Sequence, residues 1–295
     1  MKRKRILRGV GLASIIAGAV AMSSCGKKEE TEQVLRFSAI PDKETTAQEE
    51  RFAPVAKWLS EELGIKVEFV PSADYASSVT KFKTGDIDMA WFGGVSGVQA
   101  QNAIDGSRAL VSGEADLEFK SYFIANASTG LKRGEEFPEG LKGLTFTFGS
   151  NTSTSGCIMP THFVMKNTDT KPDEYFKKIG YSGAHDKTAM QVQDGTYQAG
   201  ALNFKTFDKL VKEGKVDPEK CHVVWETPTY ADYNLTASGK LDEKFGEGFT
   251  DKLRKAFLEC DDPAVLKAFN RKKFVEVDND TFQGIADVMK TMGIK

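Results

Sequence analysis

Short apolar runs and helical apolar repeats alternate along the first half of the chain. Runs in which apolar residues are continuous or occupy every second position predict strands, whereas apolar residues three and four apart predict helices. The predicted strands are 34–40, 66–70 and 86–92, and the predicted helices lie around 52–63, 74–85 and 93–103. This alternation indicates βαβ units and a mostly parallel sheet.

A second series of the same kind begins near residue 121. Its predicted strands are 121–127, 144–150, 198–204 and 221–227, its predicted helices are 157–165, 185–195 and 205–214, and amphipathic helices follow around 242–259, 263–270 and 279–291. The roughly 270 residues that follow the N-terminal leader exceed one ordinary hydrophobic core, so we expect two lobes. We assign 34–126 to lobe 1 and 127–230 to lobe 2, with 231–295 returning to lobe 1 and forming the C-terminal helices.

The N-terminus has the pattern of a secretory signal. Five basic residues precede the apolar segment 9–21, and small residues stand directly before Cys25. The apolar segment is shorter than the about 20 residues that span a bilayer, so residues 1–24 read as a signal peptide. The small residues favour a lipoprotein signal over an ordinary signal with a chance cysteine. We therefore expect lipidation at Cys25, a polar tether over 25–33, and a lipid-anchored protein in the cell envelope, outside the cytoplasm.

The charge balance excludes one class of partner. Removal of residues 1–24 takes away five of the 40 basic residues and none of the 42 acidic ones, so the formal net charge falls from −2 to −7. A nucleic-acid-binding domain would carry a basic patch or stripe. Any attraction for an anion must therefore come from local groups rather than from the overall charge.

The remaining cysteines do not indicate a metal site. Cys157, Cys221 and Cys260 are widely spaced, and no Cys/His pattern of a zinc site occurs. One disulfide and three inert buried thiols both remain open interpretations. We expect neither a metal nor another cofactor.

Polar clusters follow three of the predicted strands. They are FGG at 92–94, SNTSTSG at 150–156 and Asn203. In open α/β sheets, ligands bind outside the carboxyl ends of the strands. These clusters are therefore the candidate binding positions.

The segment Ser153–Gly156 has three interpretations. A helix start leaves backbone N–H groups unpaired and carries partial positive charge, so hydroxyls beside it favour an anion cradle that needs no basic residue. The plain alternative is a polar loop in which Thr154 or Ser155 caps the helix. The third is an enzyme with Ser155 or Cys157 as nucleophile, although the segment lacks the G-x-S-x-G pattern.

Three other polar residues begin predicted helices. Tyr75 is either a hydroxyl donor to a ligand or an ordinary half-buried packing residue. His185 is either a donor that points into a cleft or a surface residue. Asp186 lies in a first helical turn, where a carboxylate complements the helix dipole.

The clusters, in this order, resemble the phosphonate/phosphite-type periplasmic binding proteins of ABC importers. The resemblance runs from about residue 35 to about residue 274. Its motifs are DYASSV (74–79), DIDMAWFGG (86–94), STSG (153–156), AHDKTAMQVQDG (184–195) and YADYN (230–234). The segments AWFGGVSGVQAQ (90–101) and SYFIANASTGL (121–131) are similar to the selenate-binding branch of that family.

The resemblance implies a type II periplasmic-binding-protein fold, with a mixed, mostly parallel sheet in each lobe, that closes on a tetrahedral oxyanion. Tyr75, the run 153–155 and His185 match binding positions of the family. Phe92 stands where the family often has Tyr, and Asn203 where it often has Asp. The ligand-binding residues that we predict are Tyr75, Phe92, Gly93, Ser153, Thr154, Ser155, His185, Asp186 and Asn203.

Asn203 leads to a hypothesis about selectivity. A phosphonate or phosphite monoanion has a hydroxyl that can donate to a carboxylate, whereas selenate and sulfate have no proton near neutral pH. An Asp facing such a dianion would repel it inside a closed cleft, while an amide can donate. The change to Asn203 would then favour a fully deprotonated dianion, with Asp186 as a neighbouring acid that still accepts a proton.

We expect a monomeric, lipid-anchored receptor that performs no chemistry and delivers its anion to an ABC permease and the associated ATPase. Closure would bend the chain near 126–130 and 228–233. The alternative from another class is a secreted α/β enzyme acting on a phosphorylated or sulfated substrate. A sensory subunit that presents its ligand to a membrane receptor is a further possibility.

Overall fold

The computed structural model describes residues 33–42 and 48–294. The predicted signal peptide, Cys25 and nearly all of the tether lie outside the described residues. Within those ranges, no helix is both long enough and apolar enough to span a membrane.

Eleven strands are present in the described ranges. They are β1 Val34–Ala39, β2 Lys66–Phe69, β3 Met89–Phe92, β4 Arg108–Gly113, β5 Ser121–Asn126, β6 Thr145–Phe148, β7 Lys178–Tyr181, β8 Ala199–Asn203, β9 Cys221–Glu226, β10 Asn234–Ala237 and β11 Phe274–Glu276. Of these, the sequence analysis did not predict β4, β7, β10 or β11.

The helices flank these strands. They are α1 Gln48–Leu63, α2 Tyr75–Thr84, α3 Gly94–Gln101, α4 Met159–Thr168, α5 Pro172–Tyr175, α6 His185–Gln193, α7 Phe204–Lys212, α8 Leu241–Phe245, α9 Phe249–Leu258, α10 Pro263–Phe269 and α11 Gln283–Thr291. A π-helical turn, Thr154–Ile158, leads into α4.

The strands form two mixed sheets, which confirms the predicted fold class. The first has the order β11-β4-β10-β3-β1-β2, and the second has the order β7-β6-β8-β5-β9. Parallel pairs lie at β2-β1-β3 and β7-β6-β8. Among the described residues, the five antiparallel pairings nevertheless outnumber the four parallel ones, so the sheets are less parallel than predicted.

The boundary that we placed at residue 126 is wrong. β5 pairs with β8 and β9 in the second sheet, not with the strands of lobe 1. The chain crosses between the sheets just before β5, where Phe119 forms an antiparallel bridge with Tyr230 on the returning segment. The expected bending point at 228–233 therefore coincides with one crossover. The other crossover lies near 117–120 and not at 126–130, where we expected the second bending point.

Each sheet has an aromatic core. Phe37, Phe52 and Phe269 pack edge to face beside the first sheet. Phe146 in β6 is fully buried in the second lobe and stacks on Phe176 with ring centroids 4.2 Å apart. The three described cysteines, Cys157, Cys221 and Cys260, are free thiols, so the fold of the described residues is held by packing and hydrogen bonds.

Replacement of Phe146 by Ala should lower the free energy of unfolding by about 3–5 kcal/mol, because it opens a cavity in an aromatic core. Tyr181 on the neighbouring strand is the control, because it is half exposed and, among the described residues, stacks on Phe148 alone. Tyr181→Ala should cost less than about 1.5 kcal/mol. Urea unfolding of both variants measures the difference, and equal costs would contradict the assignment of Phe146 to the core.

Candidate anion-binding site

Segments from both lobes meet at the start of α3. The backbone N–H of Val95 donates to Thr154 Oγ1 at 2.9 Å, which joins the first lobe to the π-helical turn of the second. The N–H of Gly94 donates to Asp232 Oδ1 at 2.8 Å. Both N–H groups belong to the first turn of a helix, where backbone donors lack helical partners and the dipole is positive.

Close approach of the opposite lobe and of the returning segment favours glycine at the start of α3. A Cβ atom added to Gly93 would lie 3.1 Å from Thr154 Oγ1 and 3.2 Å from Asp232 Oδ1. Phe92, which we predicted as a ligand residue, is completely buried and packs edge to face on Phe82 in the core of the first lobe. Phe92 thus contributes to the site indirectly, because its packing fixes the position of the two glycines that follow it.

The cradle residues Ser153–Ser155 are all buried. The side chain of Ser153 caps the π-helical turn by accepting from the N–H of Gly156 at 3.1 Å. The structure therefore gives the capping role to Ser153, not to Thr154 or Ser155. A Cβ on Gly156 would lie 2.9 Å from His185 Cε1, so only glycine lets the imidazole approach this turn.

Tyr75 is held at the cradle by a capped helix. Asp74 caps α2 by accepting from the N–H of Ser77 at 2.7 Å, and Tyr75 is the first helical residue. Its hydroxyl contacts the hydroxyl of Ser153, and burial, assisted by the charge of Asp42, raises its pKa well above the ordinary value. Tyr75 therefore remains a hydroxyl donor across the accessible pH range.

His185 begins α6 and is buried. Its Nδ1 accepts from the backbone N–H of Asn203 at 3.3 Å, which assigns the proton of the neutral ring to Nε2. The N–H of His185 also lies 3.4 Å from the carbonyl of Asp42 in the first lobe. Asp186 is partly exposed, and its charge acts on Tyr75.

Asn203 has structural partners for both ends of its amide. Its Oδ1 caps α7 by accepting from the N–H of Thr206 at 2.7 Å, and its Nδ2 donates to the hydroxyl of Tyr233 at 3.2 Å. A contact between Asn203 and a ligand stays a prediction, since only the second hydrogen of Nδ2 is left for it.

Asp232 is a site residue that we did not predict. It lies in the returning segment before β10 and is almost completely buried. Burial, the largest cause, and the charge of Asp116 raise the pKa of its carboxyl group to about 7, against the opposing effect of the Gly94 N–H and the Ser155 and Thr154 hydroxyls. Its Oδ2 has no hydrogen-bond partner within the part of the chain that the structure describes. The signal for it was present in YADYN (230–234), which carries the resemblance, but we assigned no binding role to the aspartate of that motif.

The nucleophile interpretation finds no support in Cys157. Burial raises the pKa of its thiol to about 12, so the reactive thiolate is absent at neutral pH. Among the described residues, no cluster of three or more His, Cys, Asp or Glu side chains is placed to hold a metal ion. The arrangement offers hydroxyl, imidazole and helix-start donors around one buried carboxyl group, which suits binding of a small anion.

Two mixed α/β lobes with donors between them define a two-lobed substrate-binding protein. The family model for the phosphonate periplasmic substrate-binding proteins of ABC transporters matches residues 37–282. The chain therefore belongs to this family, whose members bind substrates outside the cytoplasm for an ABC permease and ATPase and are not enzymes.

Individual relatives agree. The chain is 36% identical over 265 residues to the probable ABC transporter phosphite-binding protein PhnD1 of Prochlorococcus marinus, covering 87% of this chain and 89% of that protein. It is 27% identical to the phosphate-import protein PhnD of Mycolicibacterium smegmatis, covering 83% and 77%. The solved structure of Prochlorococcus PhnD1 with methylphosphonate superimposes with a TM-score of 0.83 at 35% identity, over 88% of this chain and 98% of that one.

The raised pKa of Asp232 makes the stability of the ligand-free protein depend on pH. The folded state holds this proton more tightly than the unfolded state, whose Asp pKa is near 3.8. The contribution is therefore fully present below about pH 4, falls as the pH rises from about 4 to about 7, and is lost above that, by at most about 4 kcal/mol in all. The stability of Asp232→Asn relative to the wild type should therefore be about 2–3 kcal/mol greater at about pH 8 than at about pH 5.

Urea unfolding at the two pH values measures this effect. Asp251→Asn is the control, because that carboxylate is 69% exposed. The same stability difference for Asp232→Asn at both pH values would show that Asp232 is ionised throughout.

Proposed function

We propose that the chain captures a small tetrahedral oxyanion that carries one proton, such as phosphite or a phosphonate with a small substituent, and that Asp232 shares this proton. The supporting observation is that a buried, protonatable carboxyl group stands next to the anion donors. The names of the relatives agree, since one is a phosphite-binding protein and its solved structure contains methylphosphonate.

The proposed donors come from both lobes. Tyr75 contributes from the first lobe, while Thr154, Ser155 and His185 contribute from the second, and the first turn of α3, whose Gly94 and Val95 N–H groups hold Asp232 and Thr154, adds its positive dipole. None of these groups is a cation, so the anion is held by dipoles and hydrogen bonds, as at other helix N-termini. An anion between the two sets would hold the lobes together.

Asp232 reverses the selectivity that the sequence indicated. The preference for a dianion assumed that Asn203 replaces the only acid facing the ligand apart from Asp186. Asp232 is such an acid, and an ionised carboxylate in a buried site repels selenate or sulfate. A hydroxyl on the ligand removes this repulsion, because one proton can then lie between the two groups.

The remaining steps of the cycle follow from the sequence pattern. We propose that Cys25 carries a lipid anchor, that the protein works as a monomer, and that the closed form delivers its anion to the permease. Radiolabelled palmitate incorporation that is lost in Cys25→Ser tests the anchor.

Replacement of Thr154 by Val together with Ser155 by Ala should abolish binding of methylphosphonate while the fold survives. Both hydroxyls lie at the cradle, and their loss removes two donors from a buried site. Titration calorimetry measures the affinity. The control is the double variant Ser128→Ala with Thr129→Val, which changes the same two residue types in the turn that follows the C-terminal end of β5. Unchanged affinity of the cradle variant would leave the segment as a plain helix start.

The pH dependence of selenate binding tests the role of Asp232. Selenate brings no proton, so it should bind only when Asp232 is protonated, and its affinity should fall about tenfold per pH unit above about 7. Asp232→Asn should remove this dependence and reduce the preference for methylphosphonate over selenate by at least about tenfold. Selenate binding that is equally tight at about pH 6.5 and 8.5 in the wild type would contradict the proposal.

A further inference from the structure

A buried ion cluster joins the two lobes next to the proposed anion site. Asp116, which follows β4 of the first sheet, is completely buried. Arg271, just before β11, donates to its Oδ2 through Nε, and Lys205 donates to its Oδ1 from Nζ at 3.2 Å. Lys205 lies in the first turn of α7, which follows β8 of the second sheet. The Lys205–Asp116 pair therefore crosses from one lobe to the other.

The cluster adjoins the site rather than forming part of it. A cavity of about 10 Å³ lies beside the cluster and is lined in part by Lys205, Arg271, Asn203 and Tyr233. The Arg271 guanidinium lies 4.9 Å from the centre of the Tyr233 ring. The backbone N–H of Asp232 donates to the carbonyl of Asp116 at 2.9 Å, so a backbone hydrogen bond joins the cluster to the site.

The cluster carries one excess positive charge as long as Asp232 holds its proton. Asp116 balances only one of the two cations that contact it, while the nearby Asp42 is already paired with Arg51 at 2.9 Å. Burial lowers the pKa of Lys205, the charge of Arg271 lowers it further, and Asp116 and Asp232 oppose the fall. A lysine held there without a bound anion is thus at an energetic disadvantage.

We propose that Lys205 couples anion binding to closure of the lobes: closure buries an excess positive charge beside the site, and the negative charge of the bound ligand offsets it. The inference rests on the proposed function, and it adds Lys205 as the source of the positive charge that the bound ligand offsets. Lys205 acts as a positioning residue that does not touch the ligand. It makes closure unfavourable for the empty protein and favourable for the loaded one.

A simple latch would behave differently from this charge-coupled arrangement. If the Lys205–Asp116 pair merely held the lobes together, its removal would open the empty protein. In the coupled arrangement, removal of the charge leaves Asp116 paired with Arg271 and makes closure of the empty protein no harder. The ligand-free conformation therefore separates the two mechanisms.

The experiment compares Lys205→Met and Lys205→Gln with the wild type. The first keeps the apolar stem, and the second keeps a donor for Asp116, so one of them serves if the other fails to fold. Lys209→Met is the matched control, because Lys209 is on the same helix, is half exposed and pairs only with Glu213 among the described residues. Small-angle scattering measures closure with and without methylphosphonate, and calorimetry measures its affinity.

The expected result is that both Lys205 variants bind methylphosphonate at least about tenfold more weakly, while the empty variants are as closed as the empty wild type or more so. Lys209→Met should match the wild type. Empty variants that are more open than the wild type, or an unchanged affinity, would overturn the inference. A wild type that binds none of the oxyanions would refute the proposed function, and the comparison of the empty forms would still decide whether Lys205 disfavours closure.

Discussion

The site depends on a carboxyl group that is kept out of water beside groups that attract negative charge. Asp232 accepts from the first turn of α3 and lies near the hydroxyls of Thr154 and Ser155. These donors favour its ionised form, but burial favours its neutral form by more, and the result is a pKa of about 7. A carboxyl group with such a pKa can either donate or accept a proton near neutral pH. This property allows the site to discriminate between an anion that carries a hydroxyl group and a fully deprotonated dianion.

The fold supplies this balance by bringing three separate stretches of chain to one place. The glycines after β3 allow close approach, the π-helical turn presents two hydroxyls, and the returning segment supplies the acid. The bridge between Phe119 and Tyr230 marks the crossover between the lobes, and Asp232 is two residues beyond it. Any movement at the crossover therefore changes the surroundings of Asp232 directly.

Local patterns in the sequence predicted much of this arrangement. The βαβ alternation and the polar clusters after strands depend on nearby residues, and Tyr75, Ser153–Ser155 and His185 do come together between the lobes. β10 was missed because Asn234–Ala237 is a short strand buried on all sides, inserted between partners far away in the sequence. β5 was placed in the wrong lobe because nothing local to a strand specifies which sheet it joins.

Asn203 and Asp232 show the limit of reasoning from residue type. The amide of Asn203 was interpreted as a ligand donor; helix capping and Tyr233 take its Oδ1 and one hydrogen of Nδ2, and its contact with a ligand stays a prediction. The acid of the site is instead Asp232, which lies in a segment without a strand pattern. Its burial can be recognised only from the tertiary structure. The pKa of that acid is raised by burial and by Asp116 and is lowered by Gly94 and the cradle hydroxyls, and these groups are far apart in the sequence.

The most direct test of the account is the number of protons taken up when methylphosphonate binds at about pH 8.5, measured in weakly buffered solution with Asp232→Asn for comparison. At this pH, both the ligand and Asp232 are mostly deprotonated before they meet. The account predicts that the wild type takes up close to one proton per bound ligand and that the variant takes up much less. Binding by the wild type without proton uptake would contradict the claim that Asp232 and the anion share a proton.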